Sequence, residues 1–134
     1  MVLGPRWLAF ALLVTSLAWL TGCQRVTASQ NTQTVAISMN VDGTCTQNGS
    51  SGVIELAPAQ PVMYQGAANS TQFQIQFTSC PFSSCPVSSP NGMAVNVGAP
   101  TGTPGTTYNI SSMTINNQAC KGVGSMSVKI KGGP

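Results

Sequence analysis

Apolar and polar residues alternate along much of the chain after residue 33, and this period-two pattern constrains the fold more than any other feature. The clearest case is Phe73-Gln74-Ile75-Gln76-Phe77, in which every second side chain is apolar. Because successive side chains of a β-strand point to opposite faces, such a segment predicts a strand with one buried face. No stretch of ten or more residues after Cys23 has the spacing of an amphipathic helix. We therefore predict an all-β protein.

Other segments carry the same alternation, and turn signals such as Asp42-Gly43 and Asn91-Gly92 separate them. These segments are 35–41, 53–57, 62–64, 93–97, 108–115 and 126–130. About seven short strands in roughly 100 residues predict a single small β-sandwich, either cupredoxin-like or Ig-like.

Two irregularities qualify the strand prediction. Pro58 and Pro61 interrupt the chain between segments 53–57 and 62–64, and because proline lacks a donor for the strand ladder, we expect this region at an edge or in a crossing loop. In segment 108–115 the apolar positions change phase at Ser111-Ser112, which predicts a β-bulge or a bend there.

The first 22 residues differ from the rest of the chain. Arg6 precedes the 14-residue stretch from Trp7 to Leu20, whose only polar members are threonine and serine. As a helix it would span roughly 21 Å, which is short of the roughly 30 Å hydrocarbon core of a bilayer. The stretch is typical of a cleaved secretory signal peptide rather than of a permanent transmembrane helix.

The sequence Leu20-Thr21-Gly22-Cys23 that follows resembles the lipobox of bacterial lipoproteins. The resemblance implies that a diacylglycerol is attached to the Cys23 thiol, that the signal is cut just before it, and that palmitate labels the protein. Residues 24–33 are polar and without periodicity, so we predict a signal peptide at 1–22, a flexible tether at 23–33 and the sandwich domain at 34–134. Gln24 resembles the outer-membrane sorting pattern of Gram-negative members. The alternative is that Cys23 is an ordinary core or disulfide cysteine.

Four cysteines remain once Cys23 is set aside. An even number in a small exported domain predicts two disulfides, for which three connectivities exist. We favour Cys80 with Cys85, which leaves Cys45 to pair with Cys120. The alternative, a four-thiolate zinc site, is disfavoured because zinc ribbons need two closely spaced cysteine pairs, and only one such pair is present.

Composition disfavours most functional classes. The chain has no histidine, the usual general base and the commonest metal ligand. From Cys23 onward the side chains carry a net charge of only +2, which is too sparse for nucleic-acid binding. Asp42 and Glu55 are the sole carboxylate side chains for an enzyme, and nothing in their spacing places them together. Tyr64 and Tyr108 are candidates for stacking on a sugar, although Tyr108 has the phase of a core residue.

The order of strands resembles the cupredoxin-like domains of exported bacterial proteins. The segments that carry this resemblance are Phe73-Gln74-Ile75-Gln76-Phe77, Cys80-Pro81-Phe82, Tyr108-Asn109-Ile110 and Met126-Ser127-Val128-Lys129-Ile130. Copper-binding members use two histidines, a cysteine and usually a methionine. Cys120 and Met126 have the right order here, but both histidines are absent, so the resemblance implies the fold without electron transfer and without a cofactor.

These observations predict a non-catalytic lipoprotein of the cell envelope, anchored to the membrane through the lipid on Cys23, with a binding, assembly or structural role. It lies in the outer membrane if the organism is Gram-negative. A carbohydrate-binding module, an enzyme with an unrecognised site and a degenerate cupredoxin that retains soft-metal binding are the alternatives. Whether the partner is a protein or a glycan stays open. Ser, Thr, Asn and Gln supply 45 of the 112 residues from Cys23 onward, and we interpret this uncharged surface as a solubilising coat.

Overall fold

The computed structural model describes residues 31–133, and their regular structure is almost entirely β. Within that range there are ten strands and one short 3-10 turn at Val123–Ser125. The strands are β1 (Gln33–Met39), β2 (Cys45–Gln47), β3 (Val53–Leu56), β4 (Val62–Gly66), β5 (Phe73–Phe77), β6 (Val87–Ser89), β7 (Val95–Gly98), β8 (Thr107–Ile115), β9 (Gln118–Ala119) and β10 (Ser127–Ile130).

The strands form two sheets, which confirms the predicted all-β sandwich. The first sheet has the order β2-β1-β4-β7, and the second has the order β3-β10-β8-β5-β6, with β9 paired to β8. Both sheets are mixed, because β1 pairs with β4 and β3 with β10 in parallel, whereas the other pairs are antiparallel. The sandwich therefore cannot be a simple meander of hairpins.

The inward side chains of both sheets pack into one core. Val35 and Ile37 of β1 are completely buried, as are the inward residues of β4 and β10. Phe82, from the loop between β5 and β6, inserts beside Tyr64, and the two rings meet edge to face with centroids 5.9 Å apart. Gln47 of β2 is also fully buried, and its side-chain amide has no partner among the described residues. The core thus combines aliphatic strands with a few enclosed polar groups.

The predicted bulge lies in β8. Gln76 of β5 is opposite Ser112, whereas the next residue, Phe77, is opposite Ile110, so Ser111 is the additional residue. Ser111 and Ser112 are both exposed, whereas Ile110 and Met113 on either side are buried. Because of the bulge, the apolar side chains before and after Ser111-Ser112 all face the core. The predicted bulge is therefore confirmed.

The region of Pro58 and Pro61 is a loop that crosses from the second sheet to the first, as predicted, and it joins β3, the edge strand of the second sheet, to β4. β4 is flanked by β1 and β7. Pro58 and Pro61 both precede its first residue, so neither proline interrupts its hydrogen bonds. The two prolines shape the approach to the strand and do not limit its pairing.

The first strand begins and ends earlier than predicted. β1 starts at Gln33, which we assigned to the tether. The Gln33 side chain donates hydrogen bonds to the carbonyls of Ala57 and Gln60 and accepts one from the Ala57 amide at 2.7 Å. At the other end β1 stops at Met39, and Val41 is fully exposed in the following turn.

The strand directions give the sandwich two distinct ends. The near end holds Gln33 and the loop 98–106, since Gln33 is in register with Val62, and Val62 is in register with Gly98. The far end holds the turn 40–44, the loop 67–72 and the turn at residues 116 and 117. A cavity lined by Ile37, Ala67 and Asn116, among others, shows that these far-end segments of the two sheets meet.

Candidate functional site

Two disulfides connect the described part of the chain, as predicted. Cys45 of β2 is bonded to Cys120, which follows β9, with the Cα atoms 5.6 Å apart. Cys80 is bonded to Cys85 across the loop between β5 and β6, with the Cα atoms 5.9 Å apart. The first bond therefore joins the two sheets and the second closes a local loop, in the pairing that the sequence favours.

Cys23, the predicted signal peptide at 1–22 and most of the predicted tether lie outside the described residues. The disulfides use all four cysteines of residues 31–133. Since the sequence contains five cysteines, these bonds leave no described thiol with which Cys23 would pair.

The two carboxylates occupy different settings. Asp42 lies in the exposed turn after β1, where it accepts hydrogen bonds from the Oγ1 and the backbone amide of Thr44 at 2.6 and 2.9 Å. These bonds lower the pKa of Asp42. Glu55 is exposed on β3, where it is in register with Lys129 of β10. The hydrogen bonds of Asp42 therefore stabilise its own turn, and they do not connect Asp42 to Glu55.

Both candidate sugar-stacking tyrosines are core residues. Tyr64 is completely buried, its hydroxyl has no hydrogen-bond partner in the described chain, and burial raises its pKa. Tyr108 is 9% exposed, and its hydroxyl accepts a hydrogen bond from the Thr103 amide at 2.8 Å. The phase argument for Tyr108 is confirmed, and neither ring presents a face to a ligand.

The sulfur atoms that a copper site would need are occupied or enclosed. Cys120 is in a disulfide and Met126 is 1% exposed. Among residues 31–133, no cluster of three or more His, Cys, Asp or Glu side chains has the geometry of a metal site. While the disulfide is intact, a soft-metal site therefore lacks its thiolate.

The structure brings together part of the uncharged polar surface, which the sequence indicated only as a solubilising coat. On the outer face of the second sheet, Gln74 of β5 is in register with Ser88 of β6 on one side and with Thr114 of β8 on the other. We call Ser88, Gln74 and Thr114 the polar row. A cavity of about 170 Å³ lies along it, lined also by Gln72 and Asn117. In the sequence these residues stand out only as the polar members of alternating strands. Any strand with one solvent-exposed face has such members.

A second cavity, of about 210 Å³, lies at the far end of the sandwich, and most of its lining is apolar: Ile37, Met39, Ala67, Ala68 and Ile115. Gln72 lines the first cavity and Asn116 the second. Two hydrogen bonds join these residues: the Gln72 amide donates to Asn116 Oδ1 at 2.9 Å, and the Asn116 amide donates to the Gln72 carbonyl at 2.8 Å. These bonds hold the residue before β5 against the residue after β8.

Comparison with protein-family models and with curated proteins finds no match. Among solved structures, the chain is similar to one in a heme-copper terminal oxidase dimer, with 10% identity and a TM-score of 0.43 over 81% of this chain and 68% of that one. It is also similar to Fet3p, a multicopper oxidase that functions in iron import, with 17% identity and a TM-score of 0.35 over 75% of this chain. The match spans only 23% of the Fet3p chain. At these identities the similarity transfers no activity, metal or residue role to this protein.

Within residues 31–133, no helix has the length and apolar character needed to cross a bilayer.

Proposed function

We propose that this protein is a lipid-anchored component of the bacterial cell envelope with a non-catalytic role. Cys23 is the proposed attachment site for a diacylglycerol, and the sandwich is the part that is displayed. In a Gram-negative organism the outer membrane is the proposed location.

The observation that carries the proposal is that every cysteine except Cys23 is in a disulfide. The lipobox-like sequence ends at Cys23, and the four other cysteines are joined to each other in two disulfides. Disulfides are typical of an oxidising, exported environment, which the proposed signal peptide requires. A buried acyl chain contributes about 0.8 kcal/mol per methylene, so the two chains of a diacylglycerol hold a domain stably on a bilayer.

A non-catalytic role is supported by the settings of the groups that would do chemistry. Asp42 is held by its own turn, Glu55 faces outward beside Lys129, and both tyrosines are buried. A general acid and base need to converge on one substrate. Neither carboxylate lines any of the four cavities described for residues 31–133.

Metabolic labelling with palmitate tests the anchor. We expect the wild-type protein to incorporate the label and to sediment with membranes. Cys23→Ser, which keeps the size and polarity of the side chain but removes the sulfur nucleophile, should lose the label and accumulate with its signal peptide uncut.

The double variant Cys80→Ser/Cys85→Ser is the matched control, because it also removes thiols but leaves Cys23 intact. It should label like the wild type. Equal labelling of wild type and Cys23→Ser would show that Cys23 is not the lipidated residue.

A further inference from the structure

The polar row is a continuous surface that only the strand register makes visible. Ser88, Gln74 and Thr114 come from three adjacent strands, and Gln76 and Ser112 form a second pair beside them. Phe73 and Ile75, on either side of Gln74 along β5, are buried. Since alternate residues point to opposite faces, the row points outward, on the three strands at the β6 edge of the second sheet.

The chemistry of the row is uniform. Every polar side chain that lines its cavity is an amide or a hydroxyl, and none carries a charge. The lining residues are Gln72, Phe73, Gln74, Ser88, Ser89, Pro90, Thr114 and Asn117. Amides and hydroxyls both donate and accept hydrogen bonds, so such a surface matches a ligand that is itself rich in neutral hydroxyls.

Other classes of ligand fit this surface less well. Protein interfaces are enriched at their centre in aromatic residues, Met and Arg, and the one such residue in the lining, Phe73, is 3% exposed and belongs to the core. Phosphate-bearing ligands require Lys or Arg, which are absent from the lining. The large apolar side chains that are exposed, Val41, Val53 and Met93, lie outside both cavities.

We propose that the polar row and the cavity along it bind an uncharged polysaccharide. Sugar hydroxyls pair with the side chains of Gln74, Ser88 and Thr114. This assignment rests on the proposed function, because it needs the domain to be exported.

The position of the cavity agrees with anchoring through Cys23. Gln33, where the chain arrives from Cys23, lies at the near end, in register with Val62. The cavity along the polar row includes the far-end residue Asn117. The proposed binding surface therefore lies toward the end of the sandwich away from the point of attachment.

Binding at a single site should be weak, since no aromatic ring is exposed in the row to stack on a sugar. Several anchored copies on one membrane would act together on one polymer, and such multivalency raises avidity by 10²–10⁴-fold without new contacts. The polysaccharide is therefore a long polymer rather than a free monosaccharide.

The test is co-sedimentation of the full-length lipoprotein, reconstituted at many copies per vesicle in small phosphatidylcholine vesicles, with insoluble neutral polymers at a speed that leaves free vesicles in the supernatant. Chitin and cellulose are the probes, and the anionic polymer alginate, captured on beads, is the control for charge. Gln74→Ala removes the central amide of the row, and losing one to two hydrogen bonds should weaken the apparent association constant about 10-fold. Gln65→Ala is the matched control, because Gln65 is an exposed strand glutamine on the first sheet.

We expect at least one neutral polymer to sediment the protein, Gln74→Ala to weaken this binding and Gln65→Ala to leave it unchanged, with the same unfolding midpoint for both variants. Failure to sediment with either neutral polymer, stronger binding to alginate, or equal losses in the two variants would overturn the proposal. Palmitate labelling of the same preparations reports on the anchor independently, so the two proposals fail separately.

Discussion

Tyr64 shows how a single buried group couples stability to pH. Its ring fills the core against Phe82, but its hydroxyl has no hydrogen-bond partner among the described residues. Burial raises its pKa above the ordinary value of 10.0 because the ionised form is excluded from the core. The folded state therefore binds the proton more tightly than the unfolded state, and the resulting stability is fully present below pH 10 and is lost as the pH rises above it.

We predict that Tyr64→Phe keeps or raises stability at pH 7, by up to about 1 kcal/mol, because it removes an unpaired buried hydroxyl. It should also reduce the loss of stability above pH 10. Urea unfolding at pH 7 and pH 10.5 measures both effects.

Tyr108→Phe is the matched control at pH 7, since it leaves the Thr103 amide without its partner and should cost about 1 kcal/mol. If Tyr64→Phe were the more destabilising of the two at pH 7, the Tyr64 hydroxyl would have a partner that this account omits.

At the scale of the strand, the bulge in β8 makes a specific prediction. Removing Ser111 would leave Tyr108, Ile110, Met113 and Ile115 at strictly alternate positions, all on the core face. We therefore expect deletion of Ser111 to cost about 1 kcal/mol or less.

Deleting Asn109 instead would turn Tyr108 toward solvent, and losing the burial of one large side chain costs about 2–3 kcal/mol. Denaturant unfolding of the two deletion variants compares them directly. Equal destabilisation would mean that the bulge has a role beyond its phase correction.

The strands that could be predicted are those long enough to show a period. β5 has five residues with strict alternation, and its predicted bounds are the observed ones. β2, β6 and β9 have three, three and two residues, which is too short for any periodicity to appear. Pro58 and Pro61 predict the loop between β3 and β4, but nothing in the sequence predicts that β4 lies between β1 and β7. Sheet neighbours are set by long-range pairing that a local pattern does not contain.

At the scale of the whole molecule, the disulfides should contribute unequally to stability. Cys45 and Cys120 are 75 residues apart, whereas Cys80 and Cys85 are 5 residues apart. A longer closed loop removes more entropy from the unfolded chain, which gives about 4.5 kcal/mol for the first bond and about 2 kcal/mol for the second. Removing the first should therefore be the more severe change.

Unfolding of Cys45→Ala/Cys120→Ala and of Cys80→Ala/Cys85→Ala, both in the oxidised state, tests this order. The first variant should lose roughly twice as much stability as the second. A larger loss in the second would mean that its loop, which carries Phe82 into the core, matters more than chain entropy.

Some features of the proposed sites could be predicted from the sequence, and others could not. The disulfide partners could be predicted, because cysteine number and export leave few choices. The polar row could not, since Ser88, Gln74 and Thr114 are distant in sequence and meet only through the register of three strands. An uncharged polar residue also has no local signal that separates a binding role from simple solvation.

We propose above all that the mature protein begins at a lipidated Cys23. Mass spectrometry of the protein extracted from membranes, both intact and as peptides, measures this. We predict a chain that starts at Cys23 and an amino-terminal peptide that carries a thioether-linked diacylglycerol, with the two disulfides intact. A chain that retains residues 1–22, or one in which Cys23 is an unmodified thiol, would contradict the account.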